Sequence, residues 1–241
     1  MRTWLKVAGI TFAVVLVVAV VGFLAWTRME RYPAFQGAAA LAEQAKTESG
    51  WYVFGPDGQA TTGVIFYPGG LVDPAAYAPL MERLSQDGVL AIIVPMPLDL
   101  AVFGIDRADG VIAEYPEVDS WVIAGHSLGG SMAAEYVKRN PDAIQGIAFL
   151  ASYPADSTDL SASTLRATST YGTEDGVAGD VFEGSLRLLP GGTPLDVIEG
   201  GNHAQFGDYG PQKGDGTASI SREQQQQQAA STIMRLVELL N

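Results

Sequence analysis

The stretch WVIAGHSLGGSM, residues 121–132, decides how this chain is read, because it sets Ser127 between Gly125 and Gly129 directly behind a short apolar run. Small residues on either side let the backbone turn tightly and leave the hydroxyl exposed. The pattern is short, and a chain with 28 glycines among 241 residues can produce it by chance, so the flanks carry the inference. Residues 121–124 read as a buried strand. Residues 131–139, SMAAEYVKR, are helix formers with a basic end just before Asn140 and Pro141. Ser127 therefore falls at a strand-to-helix junction.

Working outward, the same alternation recurs along the chain. Apolar strand-like runs are expected at residues 51–54, 64–67, 89–94, 146–151, 165–171 and 194–199. The first ends in a Gly55-Pro56-Asp57-Gly58 turn. Helical patterns are expected after an Asp73 N-cap with Pro74 behind it, where Pro79 would bend the first turns. Further helices are expected over residues 100–115, around 180–189 and over 221–240, the last with the glutamine run 224–228 as a solvated face. Uninterrupted apolar strands separated by helices indicate an α/β fold, a mostly parallel sheet with helices on both faces. In such sheets ligands bind at the carboxyl ends of the strands.

Residues 7–26 form a 20-residue run without a charge. As a helix it would be about 30 Å long and match a bilayer core, so an N-terminal transmembrane helix is expected rather than a cleaved signal peptide. A lipoprotein signal is excluded, since the chain has no cysteine. The organisation expected is residues 1–31 as anchor and flanks, 32–49 as a linker with a short Ala-rich helix and 50–241 as the α/β domain. The positive-inside count is nearly a tie, and the short N-terminal tail with a large following domain favours an extracytoplasmic domain.

The net charge is −13, and beyond Arg31 there are 10 basic against 26 acidic residues. Such a surface repels nucleic acid and anionic lipid headgroups, so neither is expected as a ligand. The missing cysteines rule out disulfides, thiolate metal sites and a cysteine nucleophile.

A serine hydroxyl becomes a nucleophile only when a base takes its proton. The chain has two histidines. His126, next to Ser127 on the turn, is expected to pack or orient. His203, in GGNH at residues 200–203 beyond a strand end, is the expected base. A carboxylate should hold its tautomer. Asp175, in the loop after the strand ending near Tyr171, is the first choice, ahead of Asp156 and Glu174. An oxyanion needs backbone donors placed in advance. They are expected from Leu128, directly after the serine, and from Gly70 or Leu71 in the Pro68-Gly69-Gly70-Leu71 loop.

With these residues placed, the chain from about Gly50 onward resembles the α/β-hydrolases, specifically the compact bacterial group related to dienelactone hydrolase. The shared marks are FYPGG at 66–70, GHSLGG at 125–130, YGTEDG at 171–176 and GGNH at 200–203. The order Ser127, Asp175, His203 is the α/β-hydrolase order. Dienelactone hydrolase itself uses a cysteine nucleophile, so its substrate does not transfer. The resemblance implies hydrolysis of an ester or related acyl bond of a small-molecule substrate through an acyl-enzyme, with no cofactor and no metal. The rival expectation is a non-catalytic binding or scaffolding protein that retains the fold. The connection from 151 to 165 is too short for a helical lid, which implies a shallow, open pocket. The loop after His203, AQFGDYGPQKGDG, is expected to shape it through Gln205, Phe206 and Tyr209.

Overall fold

The apolar runs line up as one seven-stranded sheet in a computed structural model that describes residues 2–47, 49–56, 60–178 and 181–240. The strands are β1 (Tyr52–Phe54), β2 (Thr62–Tyr67), β3 (Leu90–Ile93), β4 (Ser120–His126), β5 (Gly146–Leu150), β6 (Arg166–Gly172) and β7 (Leu195–Ile198), in the spatial order β1-β3-β2-β4-β5-β6-β7. Every pairing is parallel except that of β1 with β3. The reason is visible in β2, whose residues are all buried. Val64 and Phe66 enter one apolar cluster, while Ile65 and Tyr67 enter the cluster on the other side. A strand with both faces apolar is stable only when both are covered.

One face is covered by α3 (Ala78–Gln86) and α7 (Arg222–Glu238), which contribute Leu80, Met81, Leu84, Ile233 and Leu236. The other is covered by α4 (Ala108–Glu114) and α5 (Leu128–Arg139), with Val111, Ala133, Ala134 and Val137. Each fully buried Val, Leu or Ile is worth about 1.5–3 kcal/mol relative to exposure. At the edge, β7 leaves Leu195 and Val197 exposed.

Two features, residues 100–115 and the glutamine run, differ from what the sequence leads one to expect. Residues 100–115 are not one helix but 3-10 turns at Ala101–Phe103 and Ile105–Arg107 followed by α4, because Gly104 leaves the helical region at φ −145°. Pro79 lies in the first turn of α3, after a 3-10 turn at Pro74–Tyr77 that the Asp73 carboxylate caps through the Ala75 amide. Within the expected linker, α2 (Gln36–Gln44) buries Ala38 and Ala42. The glutamine run is not all solvated. Gln225 and Gln226 are buried, and Gln224 completes a capping box with Ser221. Asp57 and Gly58 of the expected turn, and Asp180 at the start of the expected helix before α6 (Val181–Ser185), lie outside the described residues.

The chain divides into two units, Met1–Arg31 and Tyr32–Asn241. The first is the helix α1 (Arg2–Met29). Its 21 residues Gly9–Met29 have a mean hydropathy of 2.5 and form the one helix among the described residues long and apolar enough to cross a membrane. That length and composition fit a membrane span and a signal sequence alike.

Candidate active site

Ser127 joins β4 to α5 at φ 52° and ψ −124°, a conformation that costs a non-glycine residue on the order of 1–3 kcal/mol. The surroundings hold it there. Its amide donates to the Leu150 carbonyl at 3.0 Å, and its carbonyl accepts the Ser152 hydroxyl at 2.6 Å. The glycines around it are required by close approach. A methyl group at Gly129 would lie 2.1 Å from the Tyr67 carbonyl oxygen, and one at Gly125 would lie 2.5 Å from the Gly130 nitrogen. Thus α5 begins directly against the end of β2.

His203 and Asp175 come from the loops after β7 and β6, at the same carboxyl edge of the sheet. The His203 Nδ1 lies 2.9 Å from Asp175 Oδ2, and both side chains are almost fully buried, 1% and 3% exposed. Asp175 Oδ1 accepts the amides of Val177 and Ala178, each at 2.9 Å. Burial pushes the Asp175 carboxyl up. The His203 hydrogen bond and charge, with the Ala178 and Val177 amides, outweigh it and hold the group below the ordinary carboxylate value. With Nδ1 facing a carboxylate, Nε2 is left as the basic nitrogen. It is buried without a hydrogen-bond partner in the protein. The His203 ring rests on that of His126, with centroids 4.5 Å apart, which brings it beside the residue preceding Ser127. A serine–histidine hydrogen bond commonly closes only in the Michaelis complex.

The loop after β2 is fastened at several points. The Leu71 amide donates to the Asp99 carbonyl at 2.7 Å, so of the two oxyanion donors expected there Gly70 keeps an amide without an acceptor and Leu71 does not. The Leu71 carbonyl accepts the Tyr32 amide at 2.8 Å, and the Tyr32 carbonyl accepts the Asp73 amide at 2.9 Å. The Gly69 amide donates to the Tyr77 hydroxyl at 3.0 Å. Gly70 lies against Leu128, the first residue of α5: a methyl at Gly70 would be 3.0 Å from Leu128 Cδ2.

The remaining expected residues fall out as follows. Asp156 is on the surface in an ion pair with Arg187 at 2.8 Å, and Glu174 is exposed, so neither reaches His203. Phe206 and Tyr209 are fully buried in the core, Phe206 against the His126 ring, and so pack inward instead of lining an open pocket. The Gln205 amide group is spent on the Ile220 carbonyl at 3.0 Å. No helix or strand occurs between β5 and β6, consistent with the short connection. Among the described residues, no group of three or more His, Asp or Glu is placed to hold a metal ion.

Three supporting residues escaped the sequence reading. Gln225 Oε1 accepts the Asn202 amide at 3.0 Å and its Nε2 donates to the Asn202 carbonyl at 2.6 Å, clamping the residue before the histidine from α7. The Asp215 carboxylate accepts the amides of His203 at 3.0 Å, Ala204 at 2.8 Å and Gly216 at 2.9 Å. Tyr77, at helical spacing in an apolar run, reads as core packing, and its hydroxyl contact gives no sequence signal. Asp215 stands between Gly214 and Gly216, a turn composition that hints at a local carboxylate–amide role but not at its target.

The fold and this site together define a hydrolase of the α/β class. The chain belongs to the alpha/beta hydrolase family, whose model matches residues 63–227. Solved structures agree on the fold. Est1E from Butyrivibrio proteoclasticus is 13% identical, with a TM-score of 0.58 over 78% of this chain and 94% of that one. Dienelactone hydrolase from Anabaena variabilis is 16% identical, with a TM-score of 0.60 over 77% and 91%. A soluble variant of monoglyceride lipase from Saccharomyces cerevisiae is 10% identical, with a TM-score of 0.57 over 78% and 91%. No curated protein sequence matches the chain.

Proposed function

We propose that the protein is a serine hydrolase that cleaves an ester or related acyl bond of a small to medium substrate through an acyl-enzyme on Ser127. The observation that carries this is the buried His203–Asp175 pair at 2.9 Å, beside a serine held at φ 52° on the strand-to-helix turn. His203 Nε2 takes the Ser127 proton as Oγ attacks the acyl carbon, and the carbonyl oxygen becomes an oxyanion. The amides of Leu128 and Gly70 stabilise it. His203 then returns the proton to the leaving group. A water attacks the acyl-enzyme with His203 again as base, the acid departs and Ser127 is restored. Asp175 stabilises the imidazolium formed in both half-reactions.

A fluorophosphonate probe should label the purified full-length chain, and Ser127→Ala should abolish both labelling and short-chain ester hydrolysis. A wild-type chain inert to the probe and to esters, thioesters and peptides would favour a non-catalytic binding role instead. We further infer that α1 anchors the protein in a membrane with the hydrolase domain on the extracytoplasmic side, supported by the 21-residue apolar span. Added protease should then degrade the domain in intact cells. A shortened, soluble form on fractionation would show cleavage and refute the anchor.

A further inference from the structure

A single phenolic oxygen sits between the two parts of the chain that carry the expected oxyanion donors. The Tyr77 hydroxyl is fully buried, 3.0 Å from the Gly69 nitrogen and 2.8 Å from His126 Nδ1. Gly69 immediately precedes Gly70, and His126 precedes Ser127 and Leu128. The proton positions follow from donor counting. A backbone amide can only donate, so the hydroxyl accepts from Gly69, and its one proton is left for His126. The arrangement that uses this proton makes His126 Nδ1 the acceptor and puts the ring proton on Nε2, which is buried without a hydrogen-bond partner in the protein. Burial, and after it the nearby His203, push the His126 pKa well below the ordinary histidine value, which keeps the ring in that neutral form.

The spacing is fixed as well as the polarity. A methyl at Gly69 would lie 2.8 Å from His126 Nδ1 and 2.9 Å from the Tyr77 hydroxyl, so no side chain fits at that position. Tyr77 itself cannot drift, because its ring packs against Phe66 with centroids 4.7 Å apart. Packing alone does not account for the hydroxyl, since phenylalanine would fill nearly the same volume without burying a polar atom.

We propose that the Tyr77 hydroxyl is a positioning group for catalysis, bridging Gly69 to His126 so that the Gly70 and Leu128 amides are held at the separation that receives the oxyanion. This role rests on the serine hydrolase reading above. The bridge acts through its neighbours and touches no reacting atom. Its effect belongs to the transition state, where the oxyanion exists, and not to substrate binding.

The test is Tyr77→Phe in the full-length chain. Its kcat on a short-chain p-nitrophenyl ester should fall about 10–100-fold with KM within about twofold, and a trifluoromethyl ketone, which forms a tetrahedral oxyanion adduct on the serine, should bind correspondingly more weakly. His126→Phe breaks the bridge from its other end and should show the same split between kcat and KM. A Tyr77→Phe enzyme with kcat within twofold of wild type overturns the proposal and leaves the hydrolase reading intact. A wild-type chain unreactive toward fluorophosphonate overturns both. Should neither variant fold, the unmodified chain decides: slow amide exchange at Gly69 with an unprotonated His126 Nδ1 in nitrogen NMR supports the bridge, and fast exchange or a protonated Nδ1 overturns it.

Discussion

Replacing Gly129 by alanine should separate the two halves of the site without removing a single functional group. The added methyl would lie 2.1 Å from the Tyr67 carbonyl oxygen, 2.4 Å from that of Pro68 and 2.6 Å from the Tyr67 carbonyl carbon. All three are backbone atoms, so no side-chain rotation relieves the clash. Reaching an ordinary contact of about 3.4 Å from the Tyr67 oxygen requires β2 and α5 to move apart by roughly 1.3 Å. Overpacking of this kind costs about 1–3 kcal/mol. For a domain of this size 1 kcal/mol lowers the melting temperature by about 2–4 °C, so a drop of roughly 4–8 °C is expected for a cost near 2 kcal/mol. Catalysis should suffer more, because the movement falls between the Leu128 amide and the loop carrying Gly70, and a misplacement of about 1 Å can cost about 100-fold. The assay is kcat on a short-chain p-nitrophenyl ester together with calorimetric melting. Gly184→Ala is the control. Nothing lies within 4 Å of the added methyl there, and the exposed helical site favours alanine. A Gly129→Ala chain that keeps its melting temperature and its kcat within twofold would refute this account of the junction.

Gln225→Ala should strand the Asn202 amide and carbonyl in the core, costing about 2–4 kcal/mol in chemical denaturation and lowering kcat through the adjacent His203. Asp215→Ala should leave the His203 and Ala204 amides without their acceptor, and the low-field NMR signal of the His203 Nδ1 proton should broaden or vanish; an unchanged signal would contradict the anchoring role. His126 gives a pH dependence of stability. Its folded pKa is depressed, so the unfolded chain binds a proton that the folded chain refuses once pH falls below about 6.5. Stability is then lost progressively as pH falls from that value toward the folded pKa. In urea titrations at several pH values, the gap between wild type and His126→Gln should shift against wild type over that window and be flat above it.

The placement of Ser127 on its turn and of Asp175 beside His203 was legible because it is carried by local patterns. Gly125, Ser127 and Gly129 are constrained by a turn of five residues, while Asp175 and His203 each follow an apolar run that ends in a glycine-containing loop. What was not legible depended on contacts distant in the chain. Gln225 lies 23 residues from Asn202, and His126 lies 49 from Tyr77, so no local period reports either bond. The same distance explains the misreading of Phe206 and Tyr209, whose loop composition is polar while their own side chains fill the core.

The sequence by itself determined the parallel sheet, the serine on its turn and the chain order Ser127, Asp175, His203, since hydrophobic period and turn chemistry act over a few residues. Only the tertiary structure decided which amides remain free. Leu71 spends its amide on Asp99, Gly69 spends its own on Tyr77, and Gly70 between them keeps one. Hydrogen-bond capacity is a matter of which groups meet in space: the buried Gly69 amide and that of Leu71 find acceptors supplied from elsewhere in the chain, while the half-buried Gly70 amide does not.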